Sequence, residues 1–138
     1  MASARTALRA ALGANAAIKT ILGDPALPRI FSAPLPTGTS LATTAALTIQ
    51  QIDRTMLAEQ LNGAQQRPVY RFQVTAFSES VATIDTLSDD TITALDDLGG
   101  TFDTKVIQVI RFLSGSDTKG YDPETQTHWS TMDFDVQL

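Results

Sequence analysis

The sequence predicts an α+β fold: a mostly antiparallel sheet of four to five strands, one main helix at about residues 80–98 packed on it, and short helices at the N-terminus. Three observations carry this. Residues 80–98 repeat apolar side chains at helical spacing, with Val81, Ile84, Leu87, Ile92, Leu95 and Leu98 inside an arc of about 140°. Residues 69–77 and 128–138 alternate with the period of a strand. The chain has 138 residues, 43% hydrophobic and 18% charged, which suits one domain over residues 1–138 with a single core.

Each element has a local reason. Leu8 and Leu12 among alanines make residues 3–12 a short helix, interrupted by Gly13. Asn15 is a good N-cap for a second helical piece carrying Ile18, Ile21 and Leu22, ending at Gly23. Residues 24–28 contain two prolines and break the chain; residues 29–31 read as a short strand and residues 32–40 as an ordered Pro/Gly/Thr loop. Residues 45–53 read as a strand. Leu47 and Ile49 share a face and Ile52 has the other parity, so the strand either bulges near Gln50 and Gln51 or ends there.

Residues 54–68 read as a long connection, with a helical turn at Met56, Leu57 and Leu61. In the next strand Tyr70, Phe72, Val74 and Ala76 point one way and Arg71, Gln73 and Thr75 the other. Gly99 and Gly100 supply a stop for the main helix. Residues 105–113 are apolar on both faces, the pattern of a central, covered strand. Residues 114–127 read as a polar loop. In the last strand Met132, Phe134, Val136 and Leu138 face inward.

The composition excludes several chemistries. With no cysteine there is no disulfide, thiolate metal site or cysteine nucleophile. The single histidine, His128, sits at the rim of the predicted core, and no phosphate loop, nucleophile elbow or paired zinc-ligand motif is present. The aspartates of the main helix do not make a metal site. Asp89 and Asp96 lie two turns apart, about 10 Å along the axis, and Asp85 and Asp89 lack further ligands nearby in sequence. No metal or other cofactor is expected. The N-terminal stretch has no continuous apolar core of a signal peptide, and no run is long enough to span a bilayer, so the sequence reads as a soluble protein with no membrane partner.

Charge is divided unevenly. Residues 1–75 hold seven basic and three acidic side chains, a net +4; residues 76–138 hold three basic and twelve acidic, a net −9. No basic cluster favours binding to nucleic acid. Two readings of the split are open: a solvated acidic helix, or an acidic half of one subunit meeting the basic half of the next. On the second reading Arg5, Arg9 and Arg71 face Asp85, Asp89 and Asp96 across an interface. Met56, Leu57 and Leu61 are apolar residues in need of cover, and Tyr121 and Trp129 complete the candidate contact set.

Three stretches, in order and spacing, resemble the tail-completion, or tail terminator, family of long-tailed bacteriophages and prophage-derived particles. The first runs from Ala7 to Leu12 and on through Asn15, Ile18 and Ile21 to Gly23 and Asp24. The second is Arg29, Ile30 and Phe31, followed by Leu35, Pro36, Thr37 and Gly38. The third is Tyr121 to Thr125, followed by Met132 to Val136. Gln126 stands where the family often has glycine, and the main helix is richer in Asp and Thr than the family's alanine-rich one.

The resemblance implies a structural virion protein of the tail or neck, assembled in the host cytoplasm and not an enzyme. It implies a homo-oligomeric ring, usually of six, that caps the head-proximal end of the tail tube, stops tube polymerisation and docks a neck or head-completion protein. DNA would pass through without specific binding. The alternatives are a neck or head-to-tail joining ring, a carboxylate-dependent enzyme using the aspartate-rich helix, and a monomeric ligand binder using Tyr121 and Trp129.

Overall fold

In the computed structural model, residues 4–23, 29–36, 41, 44–57, 67–113 and 118–137 are described. The class is the one expected: among the described residues there are three helices and a mostly antiparallel sheet. The main sheet has six described strands, against the four or five expected. In chain order the elements are α1 (Ala4–Ala14), α2 (Ala16–Leu22), β1 (Ile30–Ser32), β2 (Ala46–Leu57), β3 (Arg67–Ser78), α3 (Val81–Leu95), β4 (Gly100–Phe102), β5 (Lys105–Ile107), β6 (Val109–Phe112), β7 (Thr118–Asp122) and β8 (Thr127–Gln137).

The sheet is ordered β1-β2-β3-β8-β6, with β7 paired to the other end of β8, on the same side as β6. Among the described strands only β1 with β2 is parallel. The registers stack one parity of every strand into shared rows: Leu47 with Ala76 and Ser130, Ile49 with Val74 and Met132, Phe72 with Phe134 and Phe112. That parity faces the helices. Ala7, Leu8, Ala11 and Leu12 of α1 and Ile84, Leu87 and Leu95 of α3 close over it, and nearly all of these side chains are fully buried. Each large aliphatic residue so buried contributes about 1.5–3 kcal/mol. The opposite parity carries Gln50, Gln73, Thr75, Thr131, Asp133 and Asp135, and no described helix covers it.

The polar contacts within this core are matched. Ser88 of α3 donates its hydroxyl to Ser130 of β8 at 2.6 Å, both residues being buried. Thr91 donates to the Leu87 carbonyl of its own helix, which is how a buried threonine is satisfied mid-helix.

The N-terminal helices follow the sequence closely. Asn15 caps α2 by accepting from the Ile18 N–H, and Gly23 ends it at φ 98°. Gly13, expected to interrupt α1, lies inside it and is buried. The bulge in β2 is present, between Gln51 and Asp53, and leaves Ile52 47% exposed.

Five expectations are corrected. Met56 and Leu57 form no helical turn; β2 continues through them to pair with Pro68 and Arg67, so the connection shrinks to residues 58–66. Leu61 lies outside the described residues. Val81, counted on the apolar stripe of α3, is the first residue of the helix and is 56% exposed. The helix stops at Leu95, not at the glycines. Asp97, at φ 66°, makes the left-handed turn, and the Leu98 N–H returns to the Leu95 carbonyl. Gly99 instead serves a close approach, since a Cβ there would lie 2.7 Å from the Gln108 carbonyl oxygen.

The segment 105–113 is not a central strand. It is split between β5, in a two-stranded sheet with β4, and β6, in the main sheet; apolar residues on both faces reflect this change of sheet. The β4–β5 turn uses Asp103 and Thr104 at φ 48° and 66°, the conformation a two-residue hairpin needs. Finally, residues 118–122, read as loop, are β7. Gly120 lies under the indole of Trp129, where any Cβ would collide with the ring, and this lack of a side chain lets the strand pair flush with β8.

Two measurements test this account. Gln126, in the turn from β7 to β8, is left-handed at φ 54° and exposed. Gln126→Gly is expected to raise stability by about 0.5–1 kcal/mol and Gln126→Val to lower it by about 1–2 kcal/mol, read from urea midpoints. Ser88→Ala and Ser130→Ala should each cost about 1–3 kcal/mol by stranding one hydroxyl, while the double variant should cost less than the two together, because both partners are then apolar.

Candidate assembly surfaces

The residues singled out by charge do not gather at one place. Arg5 is exposed on α1. Arg9, on the same helix, is half-buried and donates through Nε to the Ile30 carbonyl at 2.9 Å, tying α1 to the first strand. Arg71, on the helix-free face of β3, pairs with Asp133 of β8 at 2.7 Å. That pair already joins the basic and acidic halves of the sequence, within one chain.

The aspartates of α3 are also partly occupied. Asp85 accepts from Lys119 of β7 at 2.8 Å. Asp96 accepts from the Phe112 N–H at 3.0 Å, and Asp97 pairs with Arg111 at 3.0 Å. The two ion pairs, with both partners about half exposed or more, contribute about 0–1 kcal/mol each. The contact to the backbone N–H of Phe112 matters more for architecture, since it holds the end of the helix over a strand edge. Asp89 is exposed, and its side chain makes no hydrogen bond or ion pair among the described residues. Sequence reasoning missed Lys119 and Arg111 as partners because both lie far along the chain from the helix, brought in only by β6 and β7.

Tyr121 is half exposed and its ring lies 4.5 Å from that of His128, directly across the β7–β8 pair. Trp129 sits on the opposite face of the sheet over Gly120, and is half-buried. These two aromatics therefore flank the strand pair and do not line one pocket. Met56 and Leu57 lie at the end of β2 remote from Tyr121. Among the described residues no three His, Cys, Asp or Glu side chains converge as metal ligands, and no helix is long and apolar enough to cross a membrane.

A groove of about 580 Å³ opens between α2, the residues Leu41, Thr44 and Ala45, and the first turn of α3, lined also by Ile21, Ser78, Glu79 and Thr83. Its one carboxylate, Glu79, is exposed and has no histidine, lysine or arginine beside it in the lining. It offers no pair of groups for acid–base or nucleophilic chemistry.

Comparison with known proteins gives the geometry its context. No curated protein sequence matches the chain. Among solved structures, a chain of the virion of a native gene transfer agent particle superposes with a TM-score of 0.70 at 12% identity, covering 98% of this chain and 93% of that one. At that identity the likeness is one of fold. The family model for tail completion protein gp17 matches residues 6–137. The chain belongs to the tail completion protein gp17 family and is a structural protein of the virion tail or neck.

Proposed function

We propose that this chain forms a hexameric ring on the head-proximal end of the tail tube, where it ends tube polymerisation and presents the docking surface for a neck protein. The observation that carries the reading is the family match over residues 6–137, which takes in every element of the fold except the first residues of α1. The fold it shares with a chain of the gene transfer agent virion supports the same role. A cap must bind the end of a growing tube and add no further copy, and a closed ring does so by using its lateral contacts on itself. DNA passes through the ring without specific contacts, in keeping with a net charge of −5.

The surfaces available for these contacts include the exposed Arg5 and Asp89 and the half-exposed Tyr121; the Met56–Leu57 end of β2 is proposed as a further contact. Apolar contacts supply affinity and the charges set register. The oligomer is tested by light scattering on the eluting protein together with negative-stain images. A ring is expected, and purified tube protein polymerised in its presence should give shorter tubes. A monomer at all concentrations, with no effect on tube length, would overturn the reading; a ring that binds neck protein but never the tube would favour a joining ring.

Two variants refine the surface. Asp89→Lys should shift the ring–monomer balance at low salt, and the shift should vanish near 1 M salt, where screening reaches within about 3 Å. Met56→Ser with Leu57→Ser should weaken assembly and leave the far-ultraviolet circular dichroism of the monomer unchanged; an unfolded double variant would place these residues in the core.

A further inference from the structure

Outside the main sheet, β4 and β5 form a hairpin whose two faces differ. On one parity Gly100 pairs with Ile107 and Phe102 with Lys105; Ile107 is buried and Phe102 packs against the core. The opposite parity carries the Thr101–Val106 pair, and both of these residues are exposed. Val106, at 54% exposure, is a large apolar side chain left mostly in water. The hairpin that presents it is held tightly. Its turn is two residues long, and both, Asp103 and Thr104, are left-handed. Thr104 is β-branched, for which φ 66° is an unfavourable conformation. The ladder imposes that conformation, so the Val106 face is set before any partner arrives.

The groove between α2 and the first turn of α3 lies at the other end of that helix. The fifteen residues of α3, about 22 Å of helix, run from the groove toward the base of the hairpin. Ile21, Leu41, Ala45 and Ala82 are its apolar lining, and among the described residues Glu79 is its one charged group.

We propose that the subunits of the ring join through these two patches: the β4–β5 hairpin of one copy seats Val106 in the groove of the next, and Lys105 meets Glu79. The inference rests on the ring reading and specifies its interface. The occupant is a second copy because the patches complement each other in charge, polarity and place. The groove's one charge is negative, and the residue beside Val106 is a lysine that makes no ion pair among the described residues. Its flexible four-carbon stem lets the ammonium swing to either side of the strand. An apolar side chain in water and an apolar cleft cover each other. The patches differ and stand at opposite ends of α3, so a subunit does not fill its own groove, and a heterologous contact of this kind closes into a ring. Burial of the valine supplies affinity, and the ion pair sets register.

The chain has no cysteine, so cross-linking is read on a clean background. Ala82→Cys, at an exposed position of the groove, and Val106→Cys are made singly and together in the full chain and treated with a short bismaleimide. Each single variant alone should stay uncross-linked, a mixture of the two should give dimers only, and the double variant should give a ladder ending at the ring number. Val106→Ser should weaken assembly by about tenfold or more per contact and leave the melting temperature of the monomer unchanged. Lys105→Glu and Glu79→Lys should each weaken assembly by about two- to fivefold at low salt, and the two together should restore it. Parent-like assembly of Val106→Ser, or self-cross-linking of either single cysteine variant, overturns the proposal. So does a doubly reversed variant that fails to recover what the single reversals lose. Rings by light scattering without cross-links in the mixture overturn this joint and leave the ring standing. A monomer under all conditions, tube protein included, defeats the ring reading and this one with it.

Discussion

The contact on which the structure depends is the face of β8 beneath α3. Ser130, Met132, Phe134 and Val136 are all fully buried, and they complete rows begun by β2 and β3 on one side and by β6 on the other. Remove that strand and β3 loses a neighbour, β6 and β7 lose their place in the sheet, and α3 has no floor. The strand tolerates this central position because its other face is polar and carries Asp133 and Asp135. Asp133 accepts from both Arg71 and Gln73. One strand thus answers to a dry side and a wet side at once, as an antiparallel sheet allows.

The sequence made much of this readable. The period-two alternation of β3 and β8 and the helical period of α3 gave the core rows. Asn15 and Gly23 bounded α2 by capping chemistry alone, and the parity slip at Ile52 marked the bulge. What failed did so for physical reasons. A run apolar on both faces, residues 105–113, has the pattern of a covered strand and equally of two short strands that change sheets; periodicity does not separate them. β7 is hidden by composition, because Gly120 and Lys119 look like loop residues until Trp129 is known to lie on one and Asp85 to meet the other. The turn at Asp103 and Thr104 uses left-handed residues without the glycine that usually announces them.

The candidate surface was less legible than the fold. Charge counted along the chain gave a split into basic and acidic halves, and the fold spends part of that split internally, at Arg71 with Asp133. Lys119 and Arg111 come from the acidic half itself and serve its aspartates. A count of charges cannot reveal this, since it holds no information about which strands become neighbours. The same applies to strand edges. That β6 is covered follows from the path of residues 96–98 after the helix, and composition does not set that path.

The position of β8 has a consequence in time. It is an interior strand, yet it follows every other described strand of the sheet in the chain, and its contact with β3 spans about sixty residues, as in Arg71 with Asp133. A nascent chain emerging from the ribosome can form the β2–β3 hairpin and α3 early, but it holds them around a vacant slot. Bringing β8 to that slot closes a long loop, which slows folding more than local pairings do. Until it arrives, both flanks of the slot are exposed strand edges beside apolar rows. The sheet is finished from the outside inward, and the last piece inserted is the one that holds its two halves together.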